Sequence, residues 1–385
     1  MTTNSESIPD RIETFLEQKL TLDRLELVEA SVPQVETFRS AIGIRNERRA
    51  LFVLWHDADG ARGIGECSCR PDPFFNCEYL PAATDVIAQF VFPDLLARGR
   101  IRDLVRTLSR VRGWSFTTAA VLDAACDLLR RRGAADPVDL WPGPRLERVP
   151  VGISLGIFDD AAAAVERIGR EIEHGYRRIK LKISPAVDPR VLKSIRESFA
   201  DLHLAFDANG SFGAEHFETL ALLAELRPEA IEQPFAPDRL DLCQELRRRI
   251  PDLRVCLDES LTGLGLVIAS QRLDALDEVN LKPGRVGGLI ESMRILEYCR
   301  QQNLPVWIGG MFETGVGRAK NLRVAACIPD AAAHDLSPSR RYFATDIVTE
   351  PIEMNRDGTV TVPADPIEID EQTLARLTVD RRVLE

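Results

Sequence analysis

The chain has 385 residues, a formal net charge of −11, 45% apolar residues and 28% charged ones. That length suits one large domain with a smaller companion, and the apolar share is that of a soluble globular protein with a sizeable core. The acidic balance argues against nucleic acid or an anionic membrane as the main partner, leaving small molecules in view.

Eight cysteines are scattered along the chain, and Cys67-Ser-Cys69 lacks zinc-ligand spacing. In a chain this long they read as reduced thiols, not as a disulfide framework. Residues 1–19 are polar, without the apolar run of a signal peptide. No stretch reaches the ~18 apolar residues of a membrane span. A cytoplasmic location is expected.

Residues 1–21 read as a polar lead, with helical character near Ile12 and no assigned role. Three strands are predicted next, at 22–31, 48–55 and 63–67. The connection 34–47 is long for a hairpin and polar, the kind of loop that carries function. Helices are predicted over 84–90 and 117–132, the latter with Val121, Leu122, Ala125, Leu128 and Leu129 at helical spacing and Gly133 as a stop. Strands followed by helices make an α+β domain.

From residue 149 strand and helix alternate. Strands are expected at 149–155, 177–182, 202–207, 230–232, 254–258, 278–282, 305–308 and 332–335, with helices between most of them. Eight strands suffice to close a βα barrel. The tail 349–385 carries a strand-like segment at 359–362 and is expected to return to the N-terminal domain. The domain plan is therefore a capping domain over 22–145 completed by 349–385, and a barrel over 146–348.

Five of these strand ends carry one charge each: Lys182, Asp207, Glu232, Asp258 and Lys282, spaced 25, 25, 26 and 24 residues apart. Barrel enzymes place their chemistry at the C-terminal ends of the strands. One acid at such a place can simply cap the next helix. Three on consecutive strands converge and repel unless a cation sits between them, and all-oxygen ligation suits Mg²⁺ or Mn²⁺ rather than zinc. Lys180 and Lys182, two apart on one strand, point to the same side: into the barrel or, on a surface strand, into water. Inside, positive neighbours push a lysine from its free value near 10.4 toward about 7–8, where it works as a base. Lys282 lies four strands beyond Lys182, across the barrel. Two lysines facing each other over a metal suit proton transfer at a carbon beside a carboxylate.

The series Lys180-Leu-Lys182, Asp207-Ala-Asn209, Glu232-Gln-Pro, Asp258-Glu259-Ser and Lys282-Pro-Gly-Arg285-Val-Gly-Gly resembles the enolase superfamily, in its muconate-lactonizing branch. Gly309-Gly-Met311-Phe-Glu-Thr-Gly-Val-Gly-Arg318 resembles the o-succinylbenzoate synthase and N-succinylamino acid racemase family within it. The likeness runs from Leu22 to about Pro366. It implies a modified TIM barrel of (β/α)7β type under an α+β cap. It further implies that Asp207, Glu232 and Asp258 bind the metal and that Lys182 and Lys282 are the acid/base pair. By the same resemblance Lys180 assists near the metal and the substrate carboxylate, with Asn209, Glu259 and Arg285 behind them. Ser154, Gly309 and Met311 would line the substrate pocket, and Phe38 and Tyr79 of the cap would close over it.

Three stretches depart from the family pattern: the long N-terminal lead, Gly113-Trp-Ser-Phe-Thr-Thr, and the basic pair Arg340-Arg341. They bear on substrate choice, not on reaction class. The implied reaction is proton abstraction α to a carboxylate through an enediolate, as o-succinylbenzoate synthase, N-acylamino acid racemase or both, on a small-molecule carboxylate in a homo-oligomer. Dipeptide epimerase and muconate-type cycloisomerase are the neighbouring alternatives. A catalytically silent barrel acting as a binding protein is the alternative of a different class, and the intact lysines and acids count against it.

Overall fold

The computed structural model describes residues 7–40, 43–74, 76–96 and 99–385, leaving aside the side chains of 38–40 and 43–45. The lead is more than a polar tail, because α1 (Ile8–Leu16) is capped by Ser7 and buries Ile8, Ile12, Phe15 and Leu16. Those positions form one helical face.

Three antiparallel strands follow, β1 (Arg24–Ser40), β2 (Gly43–His56) and β3 (Arg62–Cys67). The expected loop 34–47 belongs instead to the long β1–β2 hairpin, apart from positions 41 and 42, which lie outside the described residues. Its polar residues pair across the strands, Ser31 Oγ to Glu47 Oε2 at 2.7 Å and Thr37 Oγ1 to Asn46 Oδ1 at 2.8 Å. A ribbon bathed by water on both faces needs no apolar alternation, so its sequence reads as loop.

The helices of the cap are α2 (Leu80–Val86), α3 (Phe92–Leu95), α4 (Ile101–Leu108) and α5 (Ser115–Arg131), with a π turn at Ile87–Val91 leading into Pro93. Helix α5 lies so close to β3 that a Cβ on Gly63 or Gly65 would stand 2.1 Å from Ala124 O or 2.0 Å from Ala120 O. Glycine at these two positions is what lets the helix settle on the strand.

The expected first barrel strand divides. Residues Arg148–Pro150 (β4) pair antiparallel with a late strand near residue 360, while Ile153–Leu155 (β5) opens a parallel sheet. That sheet continues through β6 (Arg178–Lys182), β7 (His203–Asp207), β8 (Ile231–Glu232), β9 (Val255–Leu257), β10 (Glu278–Leu281) and β11 (Val306–Ile308) in spatial order. The connecting helices are α6 (Ala161–Glu173), α7 (Pro189–Ser198), α8 (Phe217–Ala224), α9 (Leu240–Arg249), α10 (Leu264–Arg272) and α11 (Leu289–Gln302), and α12 (Gly315–Ala325) follows the last strand.

The eighth segment is reduced to a bridge, yet it closes the ring. His334 N donates to Pro150 O at 2.9 Å, Gly152 N to His334 O at 2.8 Å, and Asp335 N to Ile308 O at 3.0 Å. Apolar side chains such as Ile179, Leu181, Leu204, Phe206, Val279 and Leu281 are buried on these strands. They alternate with Lys180, Lys182, Asp207 and Asn280, so one set faces the helices and the other the barrel interior.

The tail serves both parts. Strand β12 (Thr359–Thr361) pairs with β4 at the barrel, contrary to the expected return to the cap, whereas α13 (Glu371–Leu377) leads into β13 (Thr378–Leu384), which pairs with β1. The cap sheet thus has the order β13-β1-β2-β3. Among the described residues, no helix is long and apolar enough to cross a membrane.

The Gly65 contact sets an expectation. Gly65→Ala forces α5 off β3 and lowers stability by about 1–3 kcal/mol. Gly265→Ala, where a Cβ meets nothing within 4 Å, gains roughly 0.5 kcal/mol from helix propensity. Urea-unfolding midpoints moving in opposite directions would bear this out; equal midpoints would sink it.

Candidate active site

Each charged strand end points into the barrel, and neighbours in the sheet hold them side by side. Lys182 pairs in register with Asp207, and Asp207 with Glu232. Lys180 Nζ lies 2.8 Å from Glu232 Oε2, 3.0 Å from Asp335 Oδ2 and 3.4 Å from Asp207 Oδ2, with the Trp307 ring 5.1 Å away. Lys182 Nζ donates to Asp207 Oδ2 at 2.7 Å and to Asn209 Oδ1 at 2.6 Å. Across the barrel Lys282 Nζ donates to Asp258 Oδ2 at 2.7 Å, and Arg285 Nη1 lies 3.0 Å from Asp258 Oδ1. Asn209 Nδ2 donates to Glu259 Oε1 at 3.1 Å.

The remaining expected positions differ in how they join this cluster. Ser154 pairs in register with Lys180, and its buried Oγ has no hydrogen-bond partner. Gly309 is required beside Lys282, since a Cβ there would lie 2.2 Å from Asn280 Oδ1 and 2.8 Å from Lys282 Cε. Met311 connects through its sulfur, 3.8 Å from Arg285 Nη2. Tyr79 is held by the cap, half-buried before α2 and bridged to Arg70. Phe38 lies on β1, and its side chain is outside the described residues. Arg340 and Arg341 turn to Glu353 and Glu36, at 2.8 and 3.2 Å, and so are committed to other acids.

Other residues join the cluster: Asn280 and Asp335 belong to no motif, and Gln233 stands in the Glu232-Gln-Pro motif with no role implied for it. Asn280 Nδ2 donates to Glu232 Oε1 at 2.9 Å; lying two before Lys282 on one strand, it could have been placed on the inward face. Asp335 ends the eighth segment and takes Lys180. Gln233 ties two strand ends together, its Oε1 accepting from Asp258 N and Ser260 N, both at 3.1 Å.

The electrostatics follow from this packing. Burial, then the Asp207 charge, push the Glu232 carboxyl up to about 8, with Lys180 opposing and Asp258 adding to the rise. Burial alone would raise Asp207 too, but Lys182 and Lys180 outweigh it and hold it well below the usual carboxylate range. The lysines do not behave as expected from the sequence. Burial is the largest influence on Lys282 and favours the neutral amine, yet the carboxylates around it, Asp258 first and Glu232 with it, together prevail over burial and Arg285, and the net direction is up. Lys180 also rises, through Asp335, Glu232 and Asp207 acting against burial. The expectation of lysines depressed toward neutrality counted the positive neighbours and left out the carboxylates in direct contact.

The donor set fits a hard divalent cation. Three carboxylates from adjacent strand ends offer only oxygens, and their mutual repulsion is expressed in Glu232. Among the described residues no three such side chains already form a metal-sized cage, because ammonium groups stand between the acids.

Carboxylates and lysines at the strand ends of a closed βα barrel define an enzyme of the α/β-barrel class. Residues 161–373 match the family described as Enolase C-terminal domain-like. The chain is 34% identical to the o-succinylbenzoate synthase of Enterococcus faecalis, over 89% of this chain and 94% of that one. It is also 34% identical to the N-succinylamino acid racemase of an Amycolatopsis species, over 90% and 94%. Among solved structures, an enolase-superfamily member from Listeria innocua superposes with a TM-score of 0.89 at 29% identity, covering 95% of this chain and 99% of that one. The chain belongs to the enolase superfamily, and it is an enzyme of that superfamily's lyase and isomerase type.

Next to the cluster, His334 is fully buried, and its Nδ1 accepts from Ile308 N at 3.0 Å. Burial, then the Arg178 charge, push the ring down to about 3. Between that value and the unfolded value near 6.5 the unfolded chain binds the extra proton, so stability is lost as pH falls through this window, at up to about 1.4 kcal/mol per pH unit. His334→Asn keeps an acceptor and removes the titration. The stability difference between wild type and this variant is expected to change with pH between about 6.5 and 3, and a constant difference would refute the assignment.

Proposed function

We propose that this protein is a divalent-metal-dependent enzyme that removes the proton α to a carboxylate, acting as an o-succinylbenzoate synthase, an N-succinylamino acid racemase, or both. The observation that carries the reading is the position of Lys182 at the end of β6 and of Lys282 just past β10, on opposite sides of an acid set, each bonded to one of its carboxylates. Both named relatives at 34% identity support the substrate class.

In this reading Asp207, Glu232 and Asp258 hold Mg²⁺ or Mn²⁺. A bound cation supplies positive charge where the substrate carboxylate gains electron density as its α-proton leaves. Were Asp207 and Asp258 to hold the cation, Lys182 and Lys282 would be released from the carboxylates they now meet and left to face the substrate from opposite sides. One lysine then takes the α-proton, and the other returns a proton to the opposite face, which inverts the centre. For elimination, a lysine ammonium gives its proton to the departing hydroxyl, which leaves as water. Lys180, bonded to Glu232 and Asp335, holds a buried positive charge between the acid set and the barrel wall. Ser154 Oγ offers a free hydrogen-bonding group to the substrate. The partner is a small-molecule carboxylate, and the setting a homo-oligomer in the cytoplasm.

Proton NMR in D₂O with Mg²⁺ tests the reading, using N-succinyl-L-amino acids and, separately, the cyclohexadiene precursor of o-succinylbenzoate. Exchange of the α-proton should fall about 10²–10⁴-fold in Lys182→Ala and in Lys282→Ala. Exchange surviving in both variants would remove the two-lysine mechanism. Dehydration of the precursor without amino acid exchange would assign the synthase activity alone. Chelation should abolish either reaction and added Mg²⁺ restore it; full activity in excess chelator would overturn the metal assignment.

A further inference from the structure

The barrel has a second opening, at the end opposite the acids and lysines. A cavity of about 740 Å³ lies there. Its lining includes Arg178 and Glu278, which open β6 and β10, and Arg254, just before β9. From Arg178 to Lys182 the strand climbs roughly 13 Å, so the cavity is well removed from the chemistry. Its volume is that of a small-molecule site, and such sites are mostly apolar with a few placed polar groups. Trp141, Leu296, Ile328 and Trp307 supply the apolar wall. Trp307 stands between the cavity and the cluster, with the Arg178 guanidinium 4.7 Å from its ring centroid and Lys180 Nζ 5.1 Å from it.

The charges around this cavity differ in what they have left to offer. Arg178 Nε donates to Glu229 Oε2 at 2.8 Å, and Arg300 gives Glu297 two hydrogen bonds, at 2.9 and 2.8 Å. Arg254 is held far less. Its side chain is 46% exposed and its one ion pair is loose, Nη2 to Glu278 Oε2 at 3.6 Å. Among the described residues its guanidinium makes no hydrogen bond. Of the lining acids, Glu229 is taken by Arg178 and Asp330 is exposed to water. Burial raises the third, Glu278, against the charges of Arg178 and Arg254. We propose that this cavity binds an aromatic carboxylate, its ring against the indole-bearing wall and its carboxylate on Arg254. A guanidinium fork takes both oxygens of a carboxylate at once, and an aromatic body suits a wall built from two tryptophans. A neutral ring would fit the same wall and leave Arg254 unanswered. The site lies outside the site of proton transfer and stands whether or not that chemistry is as proposed.

Equilibrium dialysis of the full chain against naphthoate and against its neutral counterpart naphthalenemethanol tests this. Naphthoate should bind with a sub-millimolar Kd, about fivefold or more below that of the alcohol. Arg254→Gln should remove that advantage and leave the alcohol within about twofold of its wild-type Kd. Ala331 packs beside Trp307 in the lining, so Ala331→Phe should fill the cavity and weaken both ligands about tenfold or more. The active site also accepts carboxylates, and Lys182→Ala separates the two places, because naphthoate binding should survive it. Loss of binding in Lys182→Ala, with none in Arg254→Gln, would put the ligand in the active site and overturn the proposal. So would equal affinities for acid and alcohol in the wild type, or no naphthoate bound at ~5 mM. Should Ala331→Phe fail to fold, Arg254→Gln with the two ligands decides alone.

Discussion

The rest of the structure is arranged around the burial of charge inside the barrel. Lys180, Asp207, Glu232, Asp258, Lys282 and Arg285 are all buried, and an unpaired charge in such a place costs several kcal/mol. Pairing resolves most of that cost, since each ammonium meets a carboxylate within 3 Å. It does not resolve all of it. Counting Asp335 and Glu259, acids outnumber the cations Lys180, Lys182, Lys282 and Arg285, and Glu232 absorbs the excess by moving up to about 8. The surplus is thus carried by a proton on Glu232, the acid whose burial and neighbours make ionisation most costly.

Holding such a cluster needs a frame that cannot relax, and several backbone and side-chain devices supply it. Gln233 and Asn209 adopt positive φ values of 39° and 45° just past their strands, turning the chain so that their side chains reach back to neighbouring strand ends. The cap is locked to the barrel by a buried acid. Glu66 of β3 accepts from Thr314 N at 3.1 Å, Thr314 Oγ1 at 2.8 Å and Gly317 N at 3.0 Å, at the start of α12. Glu78 does the same for α5 through Phe116 N and Thr117 N. Burial raises both acids, and the amides at a helix N-terminus offset part of that cost.

The parts legible in the sequence are those with a period. A βα unit repeats at nearly constant length, so charges at Lys182, Asp207, Glu232, Asp258 and Lys282 declare both the barrel and the end that carries them. Features without a period were hidden. Asn280 and Asp335 are single polar residues whose partners lie 48 residues away or further. The hairpin over 34–47 is polar on both faces, and a two-sided ribbon leaves no alternation to read. Helical character near Ile12 was legible, but the charged exposed face of α1 hid that its other face, Ile8, Ile12, Phe15 and Leu16, is buried in the core. The direction of the lysine shifts needed distances, because contact carboxylates and longer-range cations act with opposite sign on the same group.

The two arginines after Asp335 show how a surface feature bears on the pocket without touching its chemistry. Glu36, near the tip of the β1–β2 hairpin, receives Arg167 of α6 at 3.1 Å and Arg341 at 3.2 Å. Burial raises the Glu36 carboxyl, but Arg167 and Arg341 outweigh it and the net direction is down. Ion pairs this exposed add little to stability. They do select one position for a ribbon that has no apolar face of its own to fix it. The strand bearing Phe38 is therefore set by these ion pairs together with a backbone bridge, Val35 N donating to Tyr342 O at 2.8 Å, and with Val32 packed beside Tyr342 and Phe343, while Glu66 and Glu78 anchor the elements behind it. Glu36, Arg167 and Arg341 share no contact with the buried acids and lysines of the barrel, so a change in any of them can shift the ribbon without disturbing that cluster.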